Sequence, residues 1–188
     1  MYSLRKDVDH MRYFYDCEFI EDGRTIDLIS IGIVSEDGRE LYLIDGDAPW
    51  DRIREHAWLM ANVVPHLPQG NPSTRPAHWL CDLEDRHVAT RGWIADSVRD
   101  FLTRPAAPVE LWGYYGAYDH VLLAQLFGAM VDLPRGIPMW TNDVQQEAAR
   151  LGLDSSLPPQ TGTAHNALDD ALWTREAWRY LNSREGSA

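Results

Sequence analysis

The amino-acid sequence predicts an α/β protein in which helices flank one mixed β-sheet. The chain opens with three strand-like segments separated by short turns, and segments of this kind pair as antiparallel neighbours. After them, helical patterns alternate with one clear strand and one short strand. The length of 188 residues is that of a single domain with a substantial core. These observations predict the element order β-β-β-α-β-α-(β)-α.

The first three strands are defined by their apolar residues and by the turns between them. Residues Arg12–Glu18 alternate and are rich in aromatic side chains, and Leu28–Val34 is the nearly continuous apolar run of a central strand. A third strand at Leu41–Ile44 follows a turn at Ser35–Gly38, and Glu21–Gly23 supplies the turn between the first two strands. The three segments are therefore expected to form an antiparallel meander.

The remainder of the chain is mainly helical and is interrupted by proline and glycine. A stretch rich in Pro, Gly and Asn at Pro65–Pro76 is expected to be a loop. The predicted elements are helices at Asp51–Val64, Arg86–Leu102, Tyr118–Met130, Asp143–Leu151 and His165–Leu181, a strand at Val109–Trp112 and an edge strand at Met139–Thr141.

A single domain is expected to span residues 11–183. Residues 1–10 carry no motif and are interpreted as an N-terminal extension, and residues 184–188 as a C-terminal tail. No apolar run approaches the roughly 20 residues of a membrane helix, and the N-terminus lacks the apolar region of a secretory signal. Cys17 and Cys81 show neither metal-ligand spacing nor a disulfide framework, so a reducing, cytoplasmic location is expected.

The net charge of −12 excludes a protein that coats nucleic acid through a broad basic surface. It does not exclude an enzyme that contacts a few phosphates through bound cations, because the acids of such a site hold those cations. The composition is therefore compatible with a phosphate-bearing substrate at an acidic, metal-dependent site.

Two acids, Asp16 and Glu18, lie two residues apart on the first predicted strand. Side chains alternate along a strand, so both carboxylates point to the same face, with Phe14 beside them. An isolated Asp-x-Glu is most often solvated surface, but like charges on an otherwise apolar strand resist burial unless something compensates them. Divalent cations compensate directly, because hard ions prefer carboxylate oxygens.

A third acid, Asp119, lies in the first turn of the helix that follows the strand Val109–Trp112. Acids are common at helix N-termini, where they complement the helix dipole. Asp119 is, however, in phase with the apolar residues Leu122, Leu123 and Leu126. An acid on the buried side of a helix, next to the carboxyl end of a strand, stands where α/β proteins bind ligands.

Helical phase distinguishes the adjacent acids Asp169 and Asp170. At 100° per residue Asp170 lies at the edge of the apolar face of the last helix, whereas Asp169 falls on the opposite, solvated side. His165, at or just before the helix start, can reach the space in front of the helix. A capping histidine is the plain alternative, but histidine also has the pKa that suits a base activating water.

Together, these residues resemble the DEDDh branch of the DEDD exonuclease superfamily. Asp16-Cys17-Glu18 matches the family's D-x-E motif, Tyr118-Asp119 matches the aromatic-Asp core of the second motif, and His165 to Asp170 matches H-x4-D. The residues that flank the first two motifs further resemble those of a small bacterial branch of 3′–5′ exoribonucleases. The three motifs occur in order across nearly the whole chain.

The resemblance implies an RNase H-like fold, with three antiparallel strands followed by parallel strands, and a two-metal mechanism. It implies that Asp16, Glu18, Asp119 and Asp170 hold two Mg²⁺ or Mn²⁺ ions and that Glu18 and His165 are catalytic. The expected reaction hydrolyses phosphodiester bonds from an RNA 3′ end and releases nucleoside 5′-monophosphates.

Two positions depart from the family pattern. Cys17 stands where relatives often have a small hydroxylic residue, and Gly116 stands where many have Asn. Cys17 is therefore a candidate substrate contact. Phe19 is a second candidate, because aromatic surfaces stack on any base, although it could equally be a core residue that faces away from Asp16.

Alternatives stay open on the sequence alone. A DNA-directed exonuclease of the proofreading or repair type fits the same motifs, since nothing marks contacts to the 2′-hydroxyl. A catalytically idle nucleic-acid-binding domain would retain the fold without the reaction. A homodimer is also conceivable, with Trp58, Trp79 or Trp93 at its interface, although burial of these residues in the core is the simpler expectation.

Overall fold

A computed structural model describes residues 10–70, 80–153 and 156–185, and their fold is centred on one six-stranded sheet. The strands stand in the order β4-β3-β2-β1-β5-β6. They are β1 (Met11–Glu21), β2 (Ile26–Ser35), β3 (Glu40–Asp45), β4 (Val88–Ala89), β5 (Val109–Gly113) and β6 (Asn142–Asp143).

The sheet is mixed, as the sequence predicts. Strand β2 is antiparallel to both β1 and β3, whereas β4 runs parallel to β3, β5 to β1, and β6 to β5. The expected RNase H-like arrangement, three antiparallel strands followed by parallel strands, is confirmed. The helices that flank it are α1 (Trp50–Glu55), α2 (Ala57–Asn62), α3 (Arg91–Thr103), α4 (Ala117–Gln125), α5 (Val144–Arg150) and α6 (Ala167–Glu185).

Two predicted helices have different limits because residues inside the predicted ranges adopt extended conformations. The single helix expected at Asp51–Val64 is two helices, since His56 is extended (φ −93°, ψ 98°) and its side chain accepts the Leu59 N–H at 3.3 Å. The helix expected from Arg86 begins only at Arg91, because residues 88–89 pair with β3 as a strand. Pairing with a distant strand outweighs the helical pattern at these positions.

Three further boundaries also differ from the predictions. The helix expected to reach Met130 ends at Gln125, and Gly128 in the following turn has a positive φ of 108°. The edge strand is Asn142–Asp143 instead of Met139–Thr141. The last helix starts at Ala167 and not at His165, because His165 has φ 64°, outside the helical region. Part of the predicted loop, residues 71–76, lies outside the described residues.

The two faces of the sheet are covered by different helices. Tyr13, Tyr15 and Cys17 of β1 are buried in a core cluster with residues of α3 and α4. On the other face Phe14 meets Trp178 of α6, with ring centroids 5.5 Å apart. Alternate residues of β1 therefore serve two separate layers.

The start of α6 lies directly on β2 at Gly32. A Cβ placed on Gly32 would stand 2.3 Å from the carbonyl oxygen of Ala167, so only glycine permits this approach. The contact brings the N-terminus of α6 beside the middle of β1, which pairs with Gly32 through Asp16. Among the described residues, no helix combines the length and apolar character needed to cross a bilayer.

Candidate active site

The candidate site lies where β1 loses one of its two neighbouring strands. Pairing with β5 ends at Phe14, which is opposite Trp112, while pairing with β2 continues to Glu21. Beyond Phe14, one edge of β1 is therefore free of the parallel strand. A β-bulge between Glu18 and Phe19 turns the strand at this point, and bulges are frequent beside functional sites.

Asp119 of α4 fills the open edge of β1. The backbone N–H of Cys17 donates a hydrogen bond to Oδ1 of Asp119 at 2.8 Å. Asp119 is only 5% exposed, and Leu122 and Leu123 on the same side of α4 are also buried. This acid is thus directed into the protein, as its helical phase predicts, and is not a solvated charge at a helix end.

Asp170 approaches from α6 and is held by the preceding loop. Oδ2 of Asp170 accepts the backbone N–H of His165 at 3.0 Å, and Oδ1 accepts the side-chain amide of Gln160. Asp169 points elsewhere, accepting the N–H of Thr163 at 2.8 Å. Asp170 lines the site cavity, as helical phase predicts. Asp169 does not line it, although Asp169 is half-buried instead of fully solvated.

All seven residues nominated from the sequence line one cavity of about 340 Å³. They are the acids Asp16, Glu18, Asp119 and Asp170 together with His165, Cys17 and Phe19. Side-chain atoms of Glu18, His165 and Asp170 lie within 4.8 Å of one another, close enough for one cation to bridge them. Residues from β1, α4 and the start of α6 thus converge, although Asp119 follows Asp16 by 103 positions and precedes Asp170 by 51.

Burial and mutual repulsion raise the pKa of every acid in the cavity. Burial first, and then the charges of Asp119, Glu18 and Asp170, raise the pKa of Asp16 well above its usual value. Burial and Asp170 raise the pKa of Glu18 to about 8. Burial raises the pKa of Asp119 to about 7, against the opposing effect of the Cys17 N–H.

The pKa of Asp170 is also raised by burial, with Gln160 and the His165 N–H opposing the shift. Four carboxyl groups in one cavity therefore cannot all ionise at neutral pH without a compensating charge. A bound divalent cation would supply it, and oxygen donors of this kind are the ligands of hard cations. The site can therefore hold a metal.

Aromatic side chains form the rest of the cavity wall. The ring of Trp58 from α2 meets His165 nearly edge-on, with centroids 4.8 Å apart and planes at 77°. Phe19 and Tyr118 make a similar contact at 5.7 Å and 84°. Phe19 lines the cavity and also packs, partly buried, against the core, and its contact with a substrate stays a prediction.

The sequence did not identify Trp58 or Gln160 as site residues. Trp58 was considered for an interface or the core, yet it is 49% exposed and lines the cavity, so core burial is wrong for it. Trp93 is 55% exposed, so core burial is wrong there too, and Trp79 lies outside the described residues. No local pattern marks Trp58 or Gln160, since each reaches the site from a separate segment.

The two departures from the family pattern have structural explanations. A Cβ on Gly116 would lie 3.1 Å from Cα of Gly113, so the turn between β5 and α4 is too tight for a larger residue without adjustment. The Gly116 N–H donates to Oδ2 of Asp143 at 2.9 Å. Cys17 is buried, and burial together with Asp119 raises the pKa of its thiol well above the usual value, so the sulfur stays neutral.

A second cavity of about 330 Å³ adjoins the first on the other side of Asp170. It shares Asp16, Tyr114, His165 and Asp170 with the first cavity and adds Gln160, Trp173 and neighbouring residues of α6. The acids Asp16 and Asp170 thus line both cavities.

The chain is similar in sequence to known proteins. The 3′-5′ exoribonuclease Rv2179c-like domain matches residues 81–182, a stretch that includes Asp119, His165 and Asp170. Two Mycobacterium tuberculosis proteins are each 39% identical over 176 residues, covering 93% of this chain and 95% of the relative. They are 3′-5′ exoribonuclease Rv2179c of strain ATCC 25618 / H37Rv and 3′-5′ exoribonuclease MT2234.1 of strain CDC 1551 / Oshkosh.

Among solved structures, S. pombe Pop2p in its Mg²⁺ and Mn²⁺ bound form superposes with a TM-score of 0.46 at 11% identity. The match covers 92% of this chain and 83% of that one. The family is established by the sequence relatives. The chain belongs to the Rv2179c-like 3′-5′ exoribonuclease family.

Proposed function

We propose that this protein hydrolyses RNA one nucleotide at a time from the 3′ end, with two divalent cations, and releases nucleoside 5′-monophosphates. One observation carries the proposal: four carboxyl groups and one histidine line a single cavity in which the acids cannot all ionise unaided. The two relatives at 39% identity are 3′-5′ exoribonucleases, which supports the same reaction.

The four acids Asp16, Glu18, Asp119 and Asp170 would hold the ions, which we propose to be Mg²⁺ or Mn²⁺. Bound there, the ions would act as Lewis acids that offset the negative charge developing on phosphate oxygens. The protein itself positions the ligands, Asp119 through the Cys17 N–H and Asp170 through the His165 N–H. Glu18 is also proposed to be catalytic, because its carboxyl group lies beside both His165 and Asp170.

His165 is proposed as the general base that accepts a proton from the attacking water. Its ring lines the cavity with the acids and is flanked by Trp58. Its backbone N–H is already committed to Asp170, so the main chain is fixed while the imidazole stays available. A positioned base of this kind contributes typically about 10²–10⁴-fold to the rate.

Substrate contacts are assigned to the aromatic wall of the cavity. Phe19 and Tyr118 present ring surfaces on which a terminal base of any identity could stack. Cys17 also lines the cavity and is proposed to contact the substrate through its backbone, because its side chain is buried in the core on the other face of β1. We further propose that residues 11–183 form one catalytic domain, that the protein acts in the cytoplasm, where its two free cysteines fit a reducing environment, and that a homodimer can form.

The reaction is tested with 5′-labelled RNA and DNA oligonucleotides of matched sequence, incubated with the purified protein and Mn²⁺. We expect an RNA ladder that shortens from the 3′ end, nucleoside 5′-monophosphates as products, and protection by a blocked 3′ terminus. The variant Asp16→Asn serves as the matched control and should leave RNA intact while retaining the fold. Faster degradation of DNA would favour the DNA-directed alternative, and intact RNA and DNA would favour the idle binding domain.

A further inference from the structure

Two buried hydroxyl groups behind the acidic cavity have no hydrogen-bond partner. Ser30 of β2 is fully buried, and the partly buried Tyr42 of β3 packs against a core cluster that includes Ile29, Ile44 and Ile53. Within the described part of the chain, neither Ser30 Oγ nor the Tyr42 hydroxyl meets a partner at hydrogen-bond geometry. Unpartnered buried hydroxyls destabilise a fold, and native structures contain few of them, so their presence here calls for a reason.

The register of the sheet places both hydroxyls in line with Glu18. Ser30 stands directly opposite Glu18 in the antiparallel pair, and side chains of directly opposed residues share one face. Tyr42 stands opposite Gly32, two residues from Ser30, and is therefore its diagonal neighbour on that face.

Glu18, Ser30 and Tyr42 thus form a row across three adjacent strands, which we call the hydroxyl row. Burial raises the pKa of Tyr42 to about 12, and the charge of Glu18 adds to that shift. The phenol therefore keeps its proton at neutral pH and is available as a donor.

A hydroxyl offers one donor and two acceptor positions. Tyr42 O–H can donate to Ser30 Oγ while Ser30 O–H donates to the Glu18 carboxylate, which would satisfy every group in the row. The Glu18 carboxyl group interacts with Asp170, and this interaction contributes to its raised pKa.

We propose that Ser30 is a positioning residue for Glu18, with Tyr42 behind it: the Ser30 hydroxyl donates a hydrogen bond to a carboxyl oxygen of Glu18 when Glu18 holds a divalent cation. The inference rests on the proposed function only in requiring that Glu18 bind a divalent cation. Hydrogen bonds of this kind orient a ligand carboxylate and favour its charged state.

The direct test is to remove each hydroxyl without changing shape. In Ser30→Ala we expect Mn²⁺ affinity, measured by calorimetry, to fall about 10-fold or more, the range typical for partners of metal ligands. A smaller fall is expected in Tyr42→Phe, because Ser30 would retain its contact to Glu18. At limiting Mn²⁺ the kcat on RNA should fall and should recover at high Mn²⁺, while KM for RNA stays unchanged.

Matched controls come from the opposite end of the same strands. Ser35 is a fully buried serine of β2 whose Oγ accepts the Arg39 N–H at 3.0 Å, and the Tyr13 hydroxyl donates to the Leu102 carbonyl at 3.1 Å. Both hydroxyls have partners, so Ser35→Ala and Tyr13→Phe should lower the melting temperature and leave Mn²⁺ affinity unchanged. Ser30→Ala, measured in EDTA, should instead raise the melting temperature, because it removes a buried hydroxyl that has no partner among the described residues.

Ser30→Thr retains the hydroxyl, so its Mn²⁺ affinity should lie within about 3-fold of the wild-type value. This loss is smaller than the loss typical when such a partner of a metal ligand is removed. Wild-type Mn²⁺ affinity in both Ser30→Ala and Tyr42→Phe would overturn the inference. Equal losses in Ser30→Ala and Ser35→Ala would also overturn it, because they would indicate a general effect on the strand. If the wild type binds Mn²⁺ but leaves RNA intact, the proposed function fails, while the binding comparison still decides the role of Ser30.

Discussion

The backbone N–H of Cys17 donates to Oδ1 of Asp119 at 2.8 Å, and this hydrogen bond closes the edge of β1 that β5 leaves open. The Asp119 carboxylate thus accepts the Cys17 N–H at a position where β5 no longer pairs with β1. The contact fixes Asp119 beside Asp16 and Glu18, the neighbours of Cys17 in the chain. A backbone hydrogen bond therefore links the first and second sequence motifs.

Substitution of Asp119 by Asn should separate its charge from its hydrogen bond. The amide oxygen of Asp119→Asn still accepts the Cys17 N–H, but the variant loses a metal ligand, so activity should fall at least about 100-fold. In EDTA the variant should be as stable as the wild type or more so, because one of the repelling buried acids is gone. Thermal unfolding with and without Mn²⁺ measures both effects.

Asp119→Ala is the comparison. It removes the acceptor as well as the charge and leaves the Cys17 N–H unpaired, so it should be less stable than Asp119→Asn by about 1–3 kcal/mol. Equal stability of the two variants would contradict the structural role given to this hydrogen bond.

The raised pKa of Glu18 predicts a stability that depends on pH in the absence of metal. Its pKa rises from 4.5 to about 8 on folding, so its contribution is fully present below pH 4.5 and is lost as pH rises through about 8. The melting temperature in EDTA should therefore decline over this window, and Glu18→Gln should reduce the decline. Saturating Mn²⁺ should reverse the trend, because cation binding displaces the protons and strengthens as pH rises.

Much of the site follows from local periodicity. Strand alternation places Asp16 and Glu18 on one face, and helical phase selects Asp170 over Asp169, because both rules depend only on neighbours in the chain. Periodicity failed where contacts between distant segments decide the outcome. Residues 88–89 form a strand only because β3 offers them an edge, and Trp58 enters the site only because α2 ends up near the start of α6.

The close approach of α6 to β2 predicts that Gly32 cannot be replaced. In Gly32→Ala the new methyl group would meet the backbone of Ala167 at 2.3 Å, so α6 must shift and carry His165 and Asp170 with it. We expect a loss of about 1–3 kcal/mol in the free energy of unfolding, as for other overpacked sites, and loss of activity. Chemical denaturation and the RNA assay measure the two effects.

Gly92 in α3 is the matched control, because a Cβ there has no atom within 4 Å. Gly92→Ala should stabilise the protein by about 0.5–1 kcal/mol through helix propensity, with unchanged activity. A Gly32→Ala variant of wild-type stability would show that α6 can move away from β2 at little cost.

The aromatic wall predicts an effect on substrate binding. Tyr118 is 55% exposed and lines the cavity, so Tyr118→Ala should raise KM for RNA about 5- to 150-fold, the equivalent of one lost base-stacking contact of about 1–3 kcal/mol. Stability should change little. Trp93→Ala removes an equally exposed aromatic side chain that does not line the cavity, and its KM should match that of the wild type. Equal KM values in both variants would exclude Tyr118 from the substrate site.

A substitution of His165 distinguishes a role as base from a role as metal ligand. Both roles fit its position, because its ring lies close to the carboxyl groups of Glu18 and Asp170. As a base, it should be needed for kcat only: His165→Ala should lower kcat by about 10²–10⁴-fold and leave Mn²⁺ affinity nearly unchanged. A matching fall in Mn²⁺ affinity would instead identify the ring as a ligand. His165→Gly gives an internal check on the backbone, because glycine accepts the φ of 64° without strain and should be more stable than His165→Ala. Equal loss of kcat in the two variants would then assign the whole effect to the missing imidazole.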